Sequence, residues 1–421
     1  MIVGILDRFP TRAFSAWRGR SSLSNRSWRR SCLLIAVSVA CGWTAWSGYV
    51  LTLPVAVLFP VLWGMSPSRL TALLVSAGYF LAASRGLPQG VANFYAADLW
   101  PGLLLWAAAS LSFAGGHAAL WKARPEGKSP GEGRTVMATA ARYLAAAVLM
   151  GLPPFGITGW AHPLTATGVL FPGWGWWGLV AMTAGLAMMT SRYWPAAAIV
   201  LGGFWLWSAA TWTSPYLPEG WKGVDLEQGQ NLGRDGSLDY HRDLIATVRA
   251  AASSKTRFIV LPESALGFWT PTVARLWSQG LRRSELTVIA GAAVIDPGGY
   301  DNVMVAISAD EARILYRERM PVPVSMWQPW RAWSGQGGGA RANLFGNAVV
   351  QSAGQKLAVL ICYEQLLFWP VLQSMLHSPT AIVAPGNGWW TAGTSIVAIQ
   401  NASVTAWAKL FGLMVVTAFN R

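Results

Sequence analysis

The sequence is poor in cysteine, histidine and acidic residues. It has 3 cysteines, 4 histidines and 18 Asp and Glu among 421 residues. Cys32 and Cys41 share one apolar stretch and Cys362 lies far from them, so no disulfide framework is indicated. No two histidines have the spacing of metal ligands, so we predict neither a metal site nor a cofactor.

What remains is strongly apolar and basic. Hydrophobic residues make up 53% of the chain, charged residues only 12%, and there are 26 tryptophans. This composition is typical of membrane proteins. The net charge of +14 would also suit nucleic-acid binding. Because the basic residues lie between apolar runs, we predict a membrane protein with no nucleic-acid partner.

The charge divides the chain into two unlike halves. Residues 1–213 hold 15 Lys and Arg against 4 Asp and Glu, whereas residues 214–421 hold 17 against 14. We therefore predict a basic cytoplasmic N-terminus over residues 1–30, a membrane domain over 31–213 and a near-neutral soluble domain over 214–421. The boundary falls in a proline-containing linker, residues 213–220.

Apolar runs in the first half predict about seven membrane-spanning helices. A helix needs about 20 residues to cross a bilayer. The runs lie near residues 31–48, 50–65, 68–84, 99–121, 143–159, 166–190 and 194–212. The second run is short and contains Pro54 and Pro60, so we predict that it is kinked or re-entrant.

The basic residues between these runs predict the orientation. With the N-terminus inside, 14 Lys and Arg fall on the inner side and only Arg85 on the outer side. The positive-inside rule then places the N-terminus in the cytoplasm and everything after residue 213 outside the cytoplasmic membrane.

The second half alternates between short apolar runs and amphipathic segments, which predicts an α/β domain. We predict helices over residues 239–252 and 270–279. We predict strands over residues 257–261, 286–295, 303–307, 312–316, 357–361 and 381–384.

Two of the predicted strands end in reactive side chains. Glu263 follows the strand at 257–261, and Cys362 follows the strand at 357–361. A free thiol has a pKa of about 8.5 and needs a base or a cation to become nucleophilic at neutral pH. Glu263 would be such a base. The alternatives are that Cys362 is a small buried apolar residue and that Glu263 caps the next segment.

Several motifs of the second half resemble those of the nitrilase, or carbon–nitrogen hydrolase, superfamily. They are Leu-Pro-Glu-Ser at 261–264, Asn302 with Tyr316, Val-Pro at 322–323 and Ile-Cys-Tyr-Glu at 361–364. With the apolar runs in front, the chain resembles the apolipoprotein N-acyltransferases of the bacterial inner membrane. It resembles more loosely the conjugal transfer proteins of Ti-type plasmids.

This resemblance implies a multi-pass helical membrane domain followed by a periplasmic αββα sandwich with a Glu-Lys-Cys triad. Glu263 would be the base and Cys362 would carry an acyl thioester. The position of the lysine, which stabilises the oxyanion, is occupied by Glu318. Arg317 and Arg319 flank that position, so we predict that one of them supplies the cation, although the fork of arginine is larger than a lysine ammonium.

Two further departures from the family pattern follow. A glutamate that the family places after its Val-Pro element is Met326 here. The family's sequences continue beyond the strand matching residues 413–418 into another membrane helix. We therefore expect the last edge of the sandwich to lack strands or to be covered by a partner.

Three hypotheses for the function stand at this point. The first is an acyl- or amide-processing membrane enzyme of the carbon–nitrogen hydrolase or N-acyltransferase kind, acting in plasmid conjugal transfer through Glu263 and Cys362. The resemblance implies a phospholipid as acyl donor and a protein amine as acceptor. The second is a catalytically degenerate membrane scaffold within a conjugation machinery. The third is a component that binds membrane lipid or acylated protein without turnover. The missing lysine argues against the first, and the retained Glu263 and Cys362 argue against the other two.

Overall fold

The structure is a computed structural model that describes residues 12–123, 132–231, 236–352 and 354–421. Residues 1–11 of the predicted basic N-terminus lie outside this part of the chain. Arg124 and Lys128, which contribute to the predicted orientation, lie outside it as well.

The first half is helical. Its helices are α1 (Arg12–Ala45), α2 (Phe59–Gly64), α3 (Arg69–Ala83), α4 (Leu87–Tyr95), α5 (Leu99–Leu120), α6 (Glu132–Gly151), α7 (Thr167–Leu170), α8 (Gly175–Met189) and α9 (Trp194–Ala210). Shorter 3₁₀ segments cover Val50–Leu58, Phe155–Ile157 and Pro163–Ala166. Pro54 lies inside the first of these segments and Pro60 at the start of α2.

The prediction of about seven membrane spans is not confirmed. In the described part of the chain one helix, α5, is long and apolar enough to cross a bilayer. The pair α3 and α4, bent by 50° at their junction, passes the same test when taken together. Several of the apolar runs are not single unbroken helices, because the runs continue through helix-breaking residues. Thus α6 ends at Gly151 before Pro153, and Pro172 separates α7 from α8.

The second half contains nine strands and five helices in its described residues. The strands are β1 (Trp221–Gly223), β2 (Phe258–Val260), β3 (Thr287–Asp296), β4 (Gly299–Ile307), β5 (Ala312–Arg317), β6 (Val350–Ser352), β7 (Gln355–Val359), β8 (Ala381–Asn387) and β9 (Met414–Asn420). The helices are α10 (Leu238–Ala251), α11 (Pro271–Gly280), α12 (Pro329–Trp333), α13 (Phe368–Met375) and α14 (Ile396–Phe411). The predicted helices and strands of this half are confirmed, with shifts of a few residues at their ends.

The helix starts of this half follow from capping chemistry. Ser237 accepts a hydrogen bond from the backbone N–H of Tyr240 at the start of α10. Thr270 does the same for Val273 at the start of α11, where Pro271 occupies the first turn. Each cap satisfies one of the backbone donors that a helix N-terminus leaves unpaired.

The strands form two sheets packed face to face. The first has the order β1-β2-β3-β4-β5 and the second the order β6-β7-β8-β9. Alternate residues of β8 show the layering: Ala381 and Val383 pack between the sheets, whereas Ile382 and Ala384 pack against α13 and α14. Helices α10 and α11 cover the outer face of the first sheet. The domain is therefore the αββα sandwich that the motifs implied.

Strand β9 is the last strand of the second sheet, and its outer edge is covered by the chain itself. Leu226 donates its N–H to the carbonyl of Phe419 and accepts from the N–H of Arg421. The side chain of Asp225 accepts from the N–H of Phe419. Of the two expected alternatives, missing strands or a covering partner, the structure shows neither here, since the segment after β1 hydrogen-bonds to the end of β9 in the described residues.

The helical half and the sandwich share one apolar core. Gly168 of α7 packs so closely against α14 that a Cβ there would lie 1.6 Å from the carbonyl oxygen of Ala406. The Tyr363 hydroxyl donates to the carbonyl of Ile157 at 3.0 Å. These contacts fix the helices against the edge of the sandwich where the strand ends carrying Glu263 and Cys362 lie.

Candidate active site

Cys362 lies in a tight turn directly after β7. Its φ of +41° is in the left-handed region, which non-glycine residues adopt at an energetic cost. A 3₁₀ turn, Cys362–Gln365, follows at once. The side chain of Gln400 on α14 donates to the Cys362 carbonyl at 2.8 Å and lies 3.7 Å from Sγ. The surroundings thus hold the thiol in one strained orientation at the end of the strand.

Glu263 is held in a matching turn after β2. The next residue, Ser264, has a φ of +61°. On β3, a Cβ at Gly291 would lie 2.5 Å from the Cα of Glu263 and 2.4 Å from the backbone nitrogen of Ser264. Because only glycine leaves this space, the Glu263 turn packs directly on β3. The Glu263 side chain is 3% exposed.

The structure brings Glu263 and Cys362 together. Both side chains line one cavity, and each shifts the pKa of the other. The amide of Asn302 on β4 donates to Glu263 Oε1 at 2.7 Å. Burial raises the pKa of Glu263 to about 7, and the neighbouring Asn302 and Cys362 side chains oppose that rise. A carboxyl group that changes its charge near neutral pH is suited to take up and return protons.

The thiol itself resists ionisation. Burial raises the pKa of Cys362 well above its ordinary value, and the charge of Glu263 raises it further. The backbone of Asn387 beside the sulfur opposes this rise. A preformed thiolate is therefore disfavoured. The geometry instead suits an attack by sulfur in which the proton passes to Glu263 as the new bond forms.

A second buried carboxyl group shares the same amide. Asn302 Nδ2 also donates to Glu318 Oε2, at 2.8 Å, and Glu318 is fully buried. Burial raises the pKa of Glu318 well above its ordinary value, and the nearby charges of Glu263 and Glu364 add to the effect. The position where the family carries a lysine therefore holds an acidic group instead of a cation.

The structure places Arg317 and Arg319 away from the thiol. Arg317 forms an ion pair with Asp301 at the protein surface. Arg319 is fully buried beside Tyr316 and Glu364 instead. Neither is among the groups that shift the pKa of Cys362. The predicted role of these arginines as the cation of the site therefore has no support in the geometry.

Arg319 instead anchors the chain segment that carries Cys362. Its backbone N–H donates to Glu364 Oε1 at 2.8 Å, and its Nε lies 3.5 Å from the same oxygen. Glu364 also accepts from the N–H of Ile361 at 2.8 Å and from the Tyr316 hydroxyl at 2.7 Å. The guanidinium donates further hydrogen bonds to Pro370, Gln373 and Ser374. This buried network clamps the turn on both sides of Cys362.

A cavity of about 510 Å³ opens above Glu263 and Cys362. Asn302 and Asn387 lie at its base, and its walls are mostly apolar. The helical half supplies a large part of the wall, through Leu87, Val91, Phe94, Tyr95 and Leu105. The sandwich supplies Phe268, Ile295, Pro323, Met326 and Trp390. A cavity of this size and polarity suits an apolar substrate with a polar reacting group.

Helix α4 is fastened to the loop after β8. The Asn93 amide donates to the carbonyls of Trp390 and Ala392, both at 3.0 Å. A Cβ at Gly90 would lie 2.5 Å from the Trp390 ring. Sequence pattern does not reveal this contact, because it predicts an outer loop between residues 85 and 98. Pro88 at the start of α4 is the one local signal for a helix there.

Other site residues were also missed. Asn302 was noted only as part of a family motif, although it joins two carboxyl groups. Gln400 and Asn387 were not singled out. A glutamine within the apolar helix α14 is the signal for Gln400, since a buried amide needs partners. Asn387 acts through its backbone, which no side-chain pattern reveals.

Comparison with known proteins supports these observations. A model of the carbon–nitrogen hydrolase family matches residues 81–409. The chain belongs to the carbon–nitrogen hydrolase family. The match begins within α3 and ends within α14, so α4 to α9 and the strands β1 to β8 fall inside it.

Two relatives cover almost the whole chain. It is 73% identical over 420 residues to the conjugal transfer protein TraB of Agrobacterium fabrum, covering 100% of both chains. It is 61% identical over 388 residues to a probable conjugal transfer protein TraB of Sinorhizobium fredii, covering 92% of this chain and 97% of that one. Both resemblances inferred from the motifs, to carbon–nitrogen hydrolases and to a conjugal transfer protein, are confirmed.

Solved structures of the family are more distant. A carbon–nitrogen hydrolase from Helicobacter pylori G27 is 16% identical with a TM-score of 0.35, over 47% of this chain and 72% of that one. An amidase from Nesterenkonia sp. is 12% identical with a TM-score of 0.35, over 49% of this chain and 77% of that one.

Proposed function

We propose that this chain is a membrane-bound acyl-transfer protein of plasmid conjugal transfer, with Cys362 as nucleophile and Glu263 as general base. The observation that carries the proposal is the meeting of Cys362 and Glu263 in the lining of one apolar-walled cavity. The part played in conjugation rests on the similarity to the two conjugal transfer proteins.

The reaction proceeds in two steps, acylation of Cys362 and transfer of the acyl group to the acceptor. Cys362 Sγ attacks the ester carbonyl carbon of a phospholipid while its proton passes to Glu263. The tetrahedral adduct expels the alkoxide of the lysophospholipid, which takes that proton and leaves an acyl thioester. An amine of the acceptor protein then attacks the thioester, Glu263 accepts the amine's proton, and the proton returns to the departing Cys362 sulfur.

The position of the cavity supports a lipid as acyl donor. Leu105 in the cavity wall belongs to α5, the described helix that is long and apolar enough to cross a bilayer. Only 28% of the apolar stretch of α5 is buried within the protein. A lipid chain lying along this helix would reach the cavity from the side, without passing through water.

The decisive measurement is the acyl-enzyme itself. We expect purified protein incubated with phospholipid vesicles and quenched in acid to carry an acyl group on the Cys362 peptide, detected by mass spectrometry. Neutral hydroxylamine should remove the group, as it does from thioesters. Cys362→Ala is the control, and Cys32 and Cys41 serve as internal controls in the same digest. An unmodified Cys362 peptide under conditions in which iodoacetamide labels it would contradict acyl transfer.

We also propose that the helical half lies in the bacterial inner membrane, with the sandwich in the periplasm. The distribution of basic residues supports this orientation. Large apolar side chains exposed on the helices support a lipid surface, since Ile199, Leu206 and Trp207 of α9 are 76%, 72% and 71% exposed. Loops and short helices between spans then lie against the sandwich rather than in lipid.

Reporter fusions test this orientation. Alkaline phosphatase fused after residue 213 should be active, because that enzyme requires the oxidising periplasm for its disulfides. The matched fusion after Lys122, in the loop predicted to be cytoplasmic, should be inactive. The reverse pattern, with activity only after Lys122, would overturn the proposed orientation.

A catalytically degenerate scaffold is the second candidate, and one observation favours it. The residues that line the cavity in the described chain include no Lys or Arg. Loss of one oxyanion donor typically costs about 10²–10³ in rate. Plasmid transfer separates the two candidates. If the Cys362→Ala variant restores plasmid transfer to a deletion strain as well as the wild-type chain does, the scaffold hypothesis is correct.

A further inference from the structure

Two carboxyl groups and one amide form an unusual arrangement beneath the cavity. The two N–H groups of the Asn302 side chain are directed to different acceptors, Glu263 Oε1 at 2.7 Å and Glu318 Oε2 at 2.8 Å. The second oxygen of each carboxyl group, Glu263 Oε2 and Glu318 Oε1, is buried without a hydrogen-bond partner. Glu263 lines the cavity together with Cys362, whereas Glu318 contributes no lining to it.

This arrangement is unstable if both carboxyl groups carry charge. Like charges held on one buried amide repel each other strongly, and an ionised Glu318 would have a single donor for its oxygens. A neutral carboxylic acid has no such penalty, and its carbonyl oxygen still accepts from Asn302. Glu263 differs because it borders the cavity, where solvent or substrate reaches its carboxylate, and because it lies beside the Cys362 thiol.

We propose that Glu318 is a positioning residue that, as a neutral carboxylic acid, accepts one N–H of Asn302 and thereby directs the other to Glu263. The pair then carries one negative charge, and that charge belongs to the carboxylate beside the thiol. The inference deepens the proposed function, because it assigns a role to Glu318 in the same site, but its test does not require acyl transfer.

The groups that face Glu318 are few and all belong to this network. Glu263 follows β2 and acts on Glu318 through its charge. Glu364, in the turn after Cys362, acts in the same way. Arg319 forms an ion pair with Glu364, which offsets the charge of that carboxylate. The Cys362 thiol lies close enough for the charge of Glu318 to affect it. The test therefore has to distinguish the effect of the Glu318 carboxyl group on Cys362 from the effects of Glu263 and Glu364.

The first test is the pH profile of Cys362 alkylation by iodoacetamide, measured on the full-length protein by peptide mass spectrometry. In this reaction sulfur bonds to the methylene carbon, iodide leaves, and the thiol proton passes to Glu263. Glu318→Met should slow alkylation at neutral pH on the order of 10-fold, because Asn302 loses the acceptor that orients it. Glu318→Gln, whose carbonyl accepts equally well, should recover most of that loss.

The midpoint of the profile distinguishes a neutral from a charged Glu318. If Glu318 is neutral, Glu318→Gln leaves the midpoint where the wild-type protein has it. If Glu318 carries charge, removing that charge should lower the midpoint by about one pH unit or more. The second outcome would overturn the inference, as would equal rates for Glu318→Gln and Glu318→Met.

Infrared difference spectroscopy provides a direct readout that folding defects do not imitate. About one pH unit above the alkylation midpoint, the wild-type protein should keep the C=O stretching band of a protonated buried carboxyl group. The band should be absent from Glu318→Gln and present in Glu263→Gln and Glu364→Gln. Its absence from the wild-type protein would contradict the inference. None of these measurements uses a lipid. If the protein gives the expected results here but forms no thioester with phospholipid, the proposed function is contradicted and this inference still stands.

Discussion

Replacing Glu263 with glutamine is expected to slow the reaction of Cys362 with iodoacetamide at neutral pH by about 100-fold or more. General bases contribute about 10²–10⁴ to such steps. The thiol cannot compensate by ionising alone, since burial raises its pKa well above the ordinary value. Glutamine has nearly the same shape and still accepts from Asn302, so the packing of the turn should survive.

The pH dependence makes this prediction specific. The wild-type rate should rise as the pH increases through about 7, because burial raises the pKa of Glu263 to about 7 and only its ionised form accepts the proton. In Glu263→Gln that step should disappear, leaving a rate that increases only at alkaline pH as the thiolate forms. Glu311→Gln, an exposed glutamate paired with Arg313, is the matched control. A wild-type profile without a step, or an unchanged profile in Glu263→Gln, would remove Glu263 from the mechanism.

The sequence was sufficient to locate this pair because of how sheets are built. Buried runs predicted β2 and β7, and reactive residues just beyond strand ends tend to meet at one edge of a sandwich. The sequence did not reveal the turns, with positive φ at Ser264 and Cys362, that aim the two side chains at each other. Such strain depends on tertiary packing, for example on Gly291, and has no local signature.

The positions of the two arginines also depend on a boundary that local pattern does not mark. Strand alternation would place Arg317 and Arg319 on one face, but β5 ends at Arg317, so the alternation does not extend to Arg319. Arg317 lies at the surface and Arg319 is fully buried. Glu318, between them, joins Asn302.

The helical half was the least predictable part. Hydropathy marked the apolar runs correctly but not the breaks within them, because proline and glycine turns can be as apolar as the helices they separate. The wall that α4 contributes to the cavity depends on its contacts with Trp390, about 300 residues later in the chain. Long-range contacts of this kind cannot be read from local pattern.

Replacing Arg319 with methionine is expected to lower the free energy of unfolding by about 3–5 kcal/mol, the usual cost of removing one partner from a buried ion pair. The change leaves Glu364 buried without its cation. Burial already raises the pKa of Glu364, and Arg319 opposes that rise. Because Glu364 holds the backbone N–H of Ile361, the turn that carries Cys362 should loosen at the same time.

Arg317→Met provides the matched control, since the same substitution two residues away removes only a partly exposed ion pair with Asp301. Exposed pairs contribute about 0–1 kcal/mol. Thermal unfolding in detergent, followed by tryptophan fluorescence, should therefore separate the two variants clearly. The double variant Arg319→Met with Glu364→Gln should recover part of the loss, because it removes the uncompensated charge. Equal melting temperatures for Arg319→Met and Arg317→Met would show that the buried network does not anchor the Cys362 turn.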